Sequence, residues 1–317
     1  MYPYPQPYPA PAYVQPLPRP RTQPGLRWSL VGIALILGYF TTTALVGVAL
    51  GGVFTSFQPG SIDSYLAAVG AVLLAAILLV VVGIVVLVFY FIGFGYLYAG
   101  RNEFGPTHAR NVQISLVLII LAIVMGVVNV AAVAIINGSA LRFTGQGWEI
   151  EAGMYYTGAI VGTVLGIVVA ALVAAHFVLN VRALAPPKQE IILYAAAALG
   201  TATPGIVGSL TLLQLPQYIA FIGSVVAQPF GTFLPPPPVD PGVGLPMIVG
   251  GALGIVTFLL YFWAYRAASA RIRTGELKPI LLPPAAVPMM PWVPMAPMYP
   301  VPPAAPPQPP AQPPASP

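Results

Sequence analysis

His176 is the one ionisable side chain that falls inside a long apolar run, in the stretch VVAALVAAHFVLN. An ionisable group within lipid is costly and tends to mark a proton relay, a gate or a ligand contact. His176 stands six residues before Arg182, however, so a position near the membrane surface is equally open to it. There, water or a loop carbonyl would satisfy the ring, and Asn180, one turn on, would lie at the interface. Asn129 is the most central amide of another apolar run; it suits either a substrate contact or a hydrogen bond between helices, worth about 1–2 kcal/mol in model systems. Thr201, Thr203 and Pro204, in the sequence TATPG, have the makings of a polar notch where a helix breaks, the arrangement transporters use at substrate sites. A proline kink re-satisfied by neighbouring groups is the simpler reading.

Several chemistries lack their residues. The chain has no cysteine, which removes disulfides, thiolate metal sites and cysteine nucleophiles. Its two histidines, His108 and His176, are far apart in sequence and make a poor metal cluster. No phosphate-binding or dinucleotide fingerprint is present, so no cofactor is expected. Ser209 and Ser224 are expected toward the opposite membrane face from His176, which argues against a serine–histidine protease. No acidic residue falls in the middle of an apolar run, which weakens the case for an ion-coupled transporter. A net charge of +5 without any basic run or recognition module gives no reason to expect nucleic-acid binding.

Small residues carry a different signal. Gly158, Gly162 and Gly166 recur every four residues and are followed at the same spacing by Ala170 and Ala174. Residues four apart share a helix face, so this is a groove into which a second helix can press. Gly250 and Gly254 form a shorter version, as do Thr43, Gly47 and Gly51. Such a groove serves either a homo-oligomer seam or packing within one bundle.

The elements that must position these residues follow from composition. Of 317 residues 58% are hydrophobic and only 6% charged, against roughly 25% charged in soluble domains. A helix crosses the roughly 30 Å hydrocarbon core with about 20 apolar residues, and it satisfies its own backbone there. The fold class is therefore all-α, a polytopic transmembrane bundle in contact with the lipid bilayer, over residues 26–278. Six spans are expected, at about 28–54, 65–91, 112–137, 155–181, 191–213 and 245–268. The second apolar run continues to Gly100, and its aromatic end, FIGFGYLYAG, reads as an interfacial stretch. Residues 216–234 are apolar but bracketed by proline and glutamine; they read as a re-entrant or surface-lying segment.

Charge sidedness supports that count. Threading six spans puts eleven of the twelve Lys and Arg residues on one side, with Arg142 alone on the other. Cytoplasmic loops hold such residues, so both termini are expected in the cytoplasm, at a cell membrane. Residues 1–25 contain nine prolines and four tyrosines, and seventeen prolines follow from Pro279 onward. Proline fixes φ and donates no hydrogen bond, so both tails, 1–25 and 279–317, are expected to be disordered and to sample polyproline II. Such strips dock in aromatic-lined grooves of cytoplasmic partners, or self-associate, or act as plain spacers.

The segment GYLYAGRNEFGPTHARNVQISLVLIILAIV, with its short basic loop between glycine- and valine-rich spans, resembles the uncharacterised multi-pass membrane proteins of thermophilic archaea. That resemblance covers about a tenth of the chain, implies a similar helical architecture and supplies no activity or residue roles. The sequence points to a non-enzymatic structural or scaffolding membrane protein. The alternative is a small-solute permease or channel using the broken fifth helix, Asn129 and His176.

Overall fold

Runs of apolar residues too long for any strand become helices throughout the described residues. In a computed structural model, residues 20–55, 62–143, 148–226 and 244–280 are described. They form α1 (Thr22–Thr55), α2 (Ile62–Ala99), α3 (Pro106–Ser139), α4 (Ala152–Arg182), α5 (Pro187–Val226) and α6 (Leu245–Arg273). Six helical segments are long and apolar enough to cross a membrane: Thr22–Val53, Gly70–Ala99, Pro106–Ser139, Ala152–Arg182, Pro187–Ala220 and Leu245–Arg273. The protein is thus an all-α, six-span, multi-pass membrane bundle.

A 3-10 turn, Arg101–Phe104, joins α2 to α3. Gly105 takes φ +90 immediately before α3, a conformation side chains resist, and Pro106 opens the helix where its missing N–H costs nothing. Between α3 and α4, β1 (Leu141–Phe143) and β2 (Trp148–Ile150) pair antiparallel, with Arg142 opposite Glu149. Arg142 also forms a 2.7 Å ion pair with Glu151, so the one cation of this acidic end is neutralised locally.

The helices pack side by side in the order α2, α1, α6, α5, α4, α3: α1 lies between α2 and α6, α5 between α6 and α4, and α4 holds α3. Helices α2 and α3 meet little directly. The packing is also uneven along the membrane normal. Among the described residues, every buried hydrophobic side chain except Ala140 and Leu215 lies in the half of the bundle nearest the basic loops. Phe177 stacks on Tyr261 there with ring centroids 4.9 Å apart and meets Phe258 edge-on at 5.3 Å. The other half closes on small residues. Gly47 faces Met247 and Ile248, Gly251 faces Ala44, and Gly254 receives the ring of Phe40.

Four expectations change. The aromatic end of the second run is not a stretch separate from the span: α2 continues through it to Ala99, and Phe94 and Leu97 are buried. Close approach of α1 explains this, since the backbone of Ser29 lies against Gly93, and that of Leu97 against Gly25. Residues 22–25, expected in the amino tail, form the first turn of α1, where proline is tolerated. Residues 216–226, expected in a separate re-entrant segment, extend α5, and 227–234 lie outside the described residues. Finally, α5 is not broken. It stays helical across Pro204 and Pro216 for 40 residues, about 60 Å at 1.5 Å rise, longer than the hydrocarbon core. The expected tails at 1–19 and 281–317 also lie outside the described residues.

The glycine contacts predict a graded response. A Cβ on Gly93 would strike the Ser29 backbone, whereas one on Gly70 would meet nothing within 4 Å. Gly93→Ala is expected to cost about 1–3 kcal/mol through overpacking. Gly70→Ala is expected to be neutral or to stabilise by up to about 1 kcal/mol. Unfolding of the two variants in mixed micelles, followed by helicity, measures both.

Candidate functional site

His176 and Asn180 are one turn apart on α4 and therefore share a face. That face meets Ser115 on α3 and Tyr90 on α2, in the half of the bundle near the basic loops. His176, Asn180 and Ser115 are fully buried and Tyr90 nearly so. Tyr261 and Tyr265 of α6 close the far side, their hydroxyls donating to the carbonyls of Ala174 (3.4 Å) and Phe177 (3.1 Å). Phe94 and Phe177 lie edge-on to the imidazole, at 5.0 and 5.6 Å.

The proton positions follow from what each atom is able to do. Nδ1 of His176 lies 2.9 Å from the Ser115 carbonyl, which only accepts, so Nδ1 carries the hydrogen. Nε2 then holds a lone pair and accepts the Tyr90 hydroxyl at 2.5 Å. Ser115 Oγ stands 2.7 Å from the same Nδ1–H and donates its own proton to Asn180 Oδ1, also at 2.7 Å. The Asn180 amide completes the circuit, 3.3 Å from Nε2 and 3.4 Å from the Tyr90 oxygen. All four side chains are partnered and neutral.

This arrangement binds helices together rather than activating a nucleophile. A general base must present a lone pair to the hydroxyl it deprotonates. Here the nitrogen facing Ser115 carries a proton, and the serine proton points to an amide. The network instead ties α2, α3 and α4 together at the place where α2 and α3 have few other contacts.

The remaining sequence candidates do not join it. Asn129 Oδ1 is buried without a hydrogen bond and faces the α4 groove near Gly162, at 3.9 Å from a Cβ built there. Asn137, two turns along, packs its Oδ1 against Gly158. The groove of Gly158 and Gly162 thus receives α3 of the same chain, while Gly166 faces Pro204 of α5 at 3.5 Å. Gly250 faces Val207 and Gly254 faces Phe40, both intrachain. Thr203 donates to its own helix at Leu199 O (2.8 Å), and Thr201 is half-buried on the same helix. Asn129, Thr201, Thr203 and Pro204 therefore stay apart from His176.

Asn180, expected at the interface, is instead fully buried. Tyr90, Ser115, Tyr261 and Tyr265 were not singled out in the sequence. Their only signal there is a polar group in an otherwise apolar helix, close to a basic loop. His108 is separate again: it is buried beside Phe104, with neither ring nitrogen hydrogen-bonded. Compared with known proteins, the chain matches no family model, no curated protein and no solved structure.

Removing the imidazole tests the closed circuit. His176→Phe leaves the Tyr90 hydroxyl and Ser115 groups short of partners and is expected to cost about 1–3 kcal/mol. Adding Tyr90→Phe should recover part of it, with a coupling of about 0.6–1.7 kcal/mol, from the average to the largest value measured between membrane helices. A double-mutant cycle of unfolding free energies in micelles provides the value, and strict additivity would contradict the pairing.

Proposed function

We propose that this membrane protein is a non-enzymatic scaffold whose bundle presents its two proline-rich segments from one point on the basic face. The supporting observation is the environment of Glu103, in the turn between α2 and α3. Its carboxylate accepts the backbone N–H groups of Arg21 (2.5 Å) and Thr22 (3.0 Å), and its carbonyl accepts the N–H of Ile280 (2.6 Å). A carboxylate at a helix amino terminus satisfies orphan donors and complements the helix dipole. One residue therefore fixes where the chain enters α1 and where it leaves after α6. Arg271 holds the exit further, bonding Glu276 (2.7 Å) and the Leu184 carbonyl (3.1 Å).

Two proline-rich segments attached at neighbouring points engage a bivalent partner, or each other, at raised effective concentration. Under this reading the basic face is cytoplasmic, in line with the excess of Lys and Arg there. The permease alternative draws less support, since α5 continues across Pro204 and the His176 ring is closed.

Three measurements test the proposal. Because the chain lacks cysteine, Pro20→Cys and Ile280→Cys allow site-specific labelling. Both labels should react with impermeant reagent from the same membrane face, with a short, narrow spin–spin distance that broadens on Glu103→Ala. Deleting 1–19 and 281–317 should leave the bundle folded and abolish clustering counted by photobleaching in native membranes. Solute flux in liposomes that is lost with Asn129→Leu or His176→Phe would instead establish the permease.

A further inference from the structure

The outward face of α2 carries a groove of about 350 Å³ just below the basic surface, lined by Arg21, Phe91, Ile92, Gly95, Tyr96 and Ala99. Its floor exists because Gly95 has no side chain, and among the described residues nothing comes within 4 Å of where a Cβ would stand. Phe91, Ile92 and Tyr96 are each more than a third exposed around it. Gly95 precedes Ala99, the last residue of α2, by one turn, about 6 Å, so the groove lies where acyl chains meet headgroups. Arg21 stands above it. Among the described residues no carboxylate pairs with the Arg21 guanidinium. The nearby Glu103 carboxylate is taken up by the backbone of Arg21 and Thr22.

We infer that this groove binds one anionic glycerophospholipid, its phosphate on Arg21 and the upper part of an acyl chain over Gly95. The groove is apolar along its length and cationic at one end, which matches the amphipathic order of such a lipid. A guanidinium also suits phosphate better than an ammonium does, because its planar fork donates two parallel hydrogen bonds. The occupant is already at the right depth in the bilayer, so only the difference between anionic and zwitterionic headgroups has to be supplied by the protein. One cation near the surface contributes about a fivefold preference. A second groove, at Pro106, Thr107, Arg110, Asn111 and Ile114, also has an arginine but only Ile114 as an extended apolar wall. It provides the control for charge alone.

The test uses the full chain in detergent, titrated with phosphatidylglycerol or phosphatidylcholine, with bound lipids counted by native mass spectrometry. One phosphatidylglycerol should be retained about fivefold more strongly than phosphatidylcholine. Arg21→Gln should erase that preference, Arg110→Gln should leave it intact, and Gly95→Leu should lower retention of both lipids. Helicity and melting of each variant confirm folding; should Gly95→Leu fail to fold, Gly95→Val takes its place. Equal loss in Arg21→Gln and Arg110→Gln would show generic surface charge and overturn the inference. So would displacement by soluble glycerol phosphate, which would mark a plain anion site, or equal retention of the two lipids by the native chain.

Discussion

The imidazole of His176 buries two nitrogens inside the bundle, and the surrounding helices supply their hydrogen-bond partners. Ser115 contributes its carbonyl and its hydroxyl, Tyr90 its hydroxyl and Asn180 its amide, and together they leave no donor or acceptor of the ring unused. Because the partners come from three helices, satisfying the histidine also fixes how α2, α3 and α4 stand relative to each other. A polar cluster in lipid is stabilising only when complete, since a lone unpaired group costs more than a typical hydrogen bond returns. The aromatic packing of Phe94, Phe177, Tyr261 and Tyr265 seals the cluster from the membrane.

That constraint gives the bundle two unlike halves. Near the basic loops, large side chains fill the interior and backbone groups of loops and helix ends are tied to Glu103 and Arg271. Toward the acidic end the helices touch through glycine, and α2 turns most of its surface outward: Leu73, Leu74, Val80 and Val81 are all more than half exposed. Exposed aliphatic side chains of this kind are at home against lipid, where no hydrophobic force drives helices together and close approach of small residues does the packing instead. The side-chain ties to loop and helix-end backbone thus lie at the end where α1 begins and α6 ends.

Glycine plays two distinct parts in this architecture. Gly93, Gly158 and Gly254 are filled by a neighbour, so their lack of a side chain is used for helix contact within the chain. Gly95 and Gly70 are filled by nothing, and their open space faces outward. The periodic spacing of small residues is the same kind of signal in both cases. Only the position of the neighbouring helices separates packing sites from vacant grooves.

The number of crossings was legible in the sequence because lipid tolerates long apolar helices and little else, and that pattern needs no knowledge of neighbours. Charge sidedness and the apolar spans follow from transfer energies of single residues. The polar site was legible only in part. His176 stood out as an ionisable group within a span, whereas Tyr90 and Ser115, 86 and 61 residues away in the chain, gave no sign of sharing its surroundings. Helix ends and the continuity of α5 also escaped, since Pro204 reads as a break until the space opposite Gly166 is known. Composition and periodicity decide what lies in the membrane; which side chains meet there depends on rotation and contact between helices, and only the folded bundle fixes those.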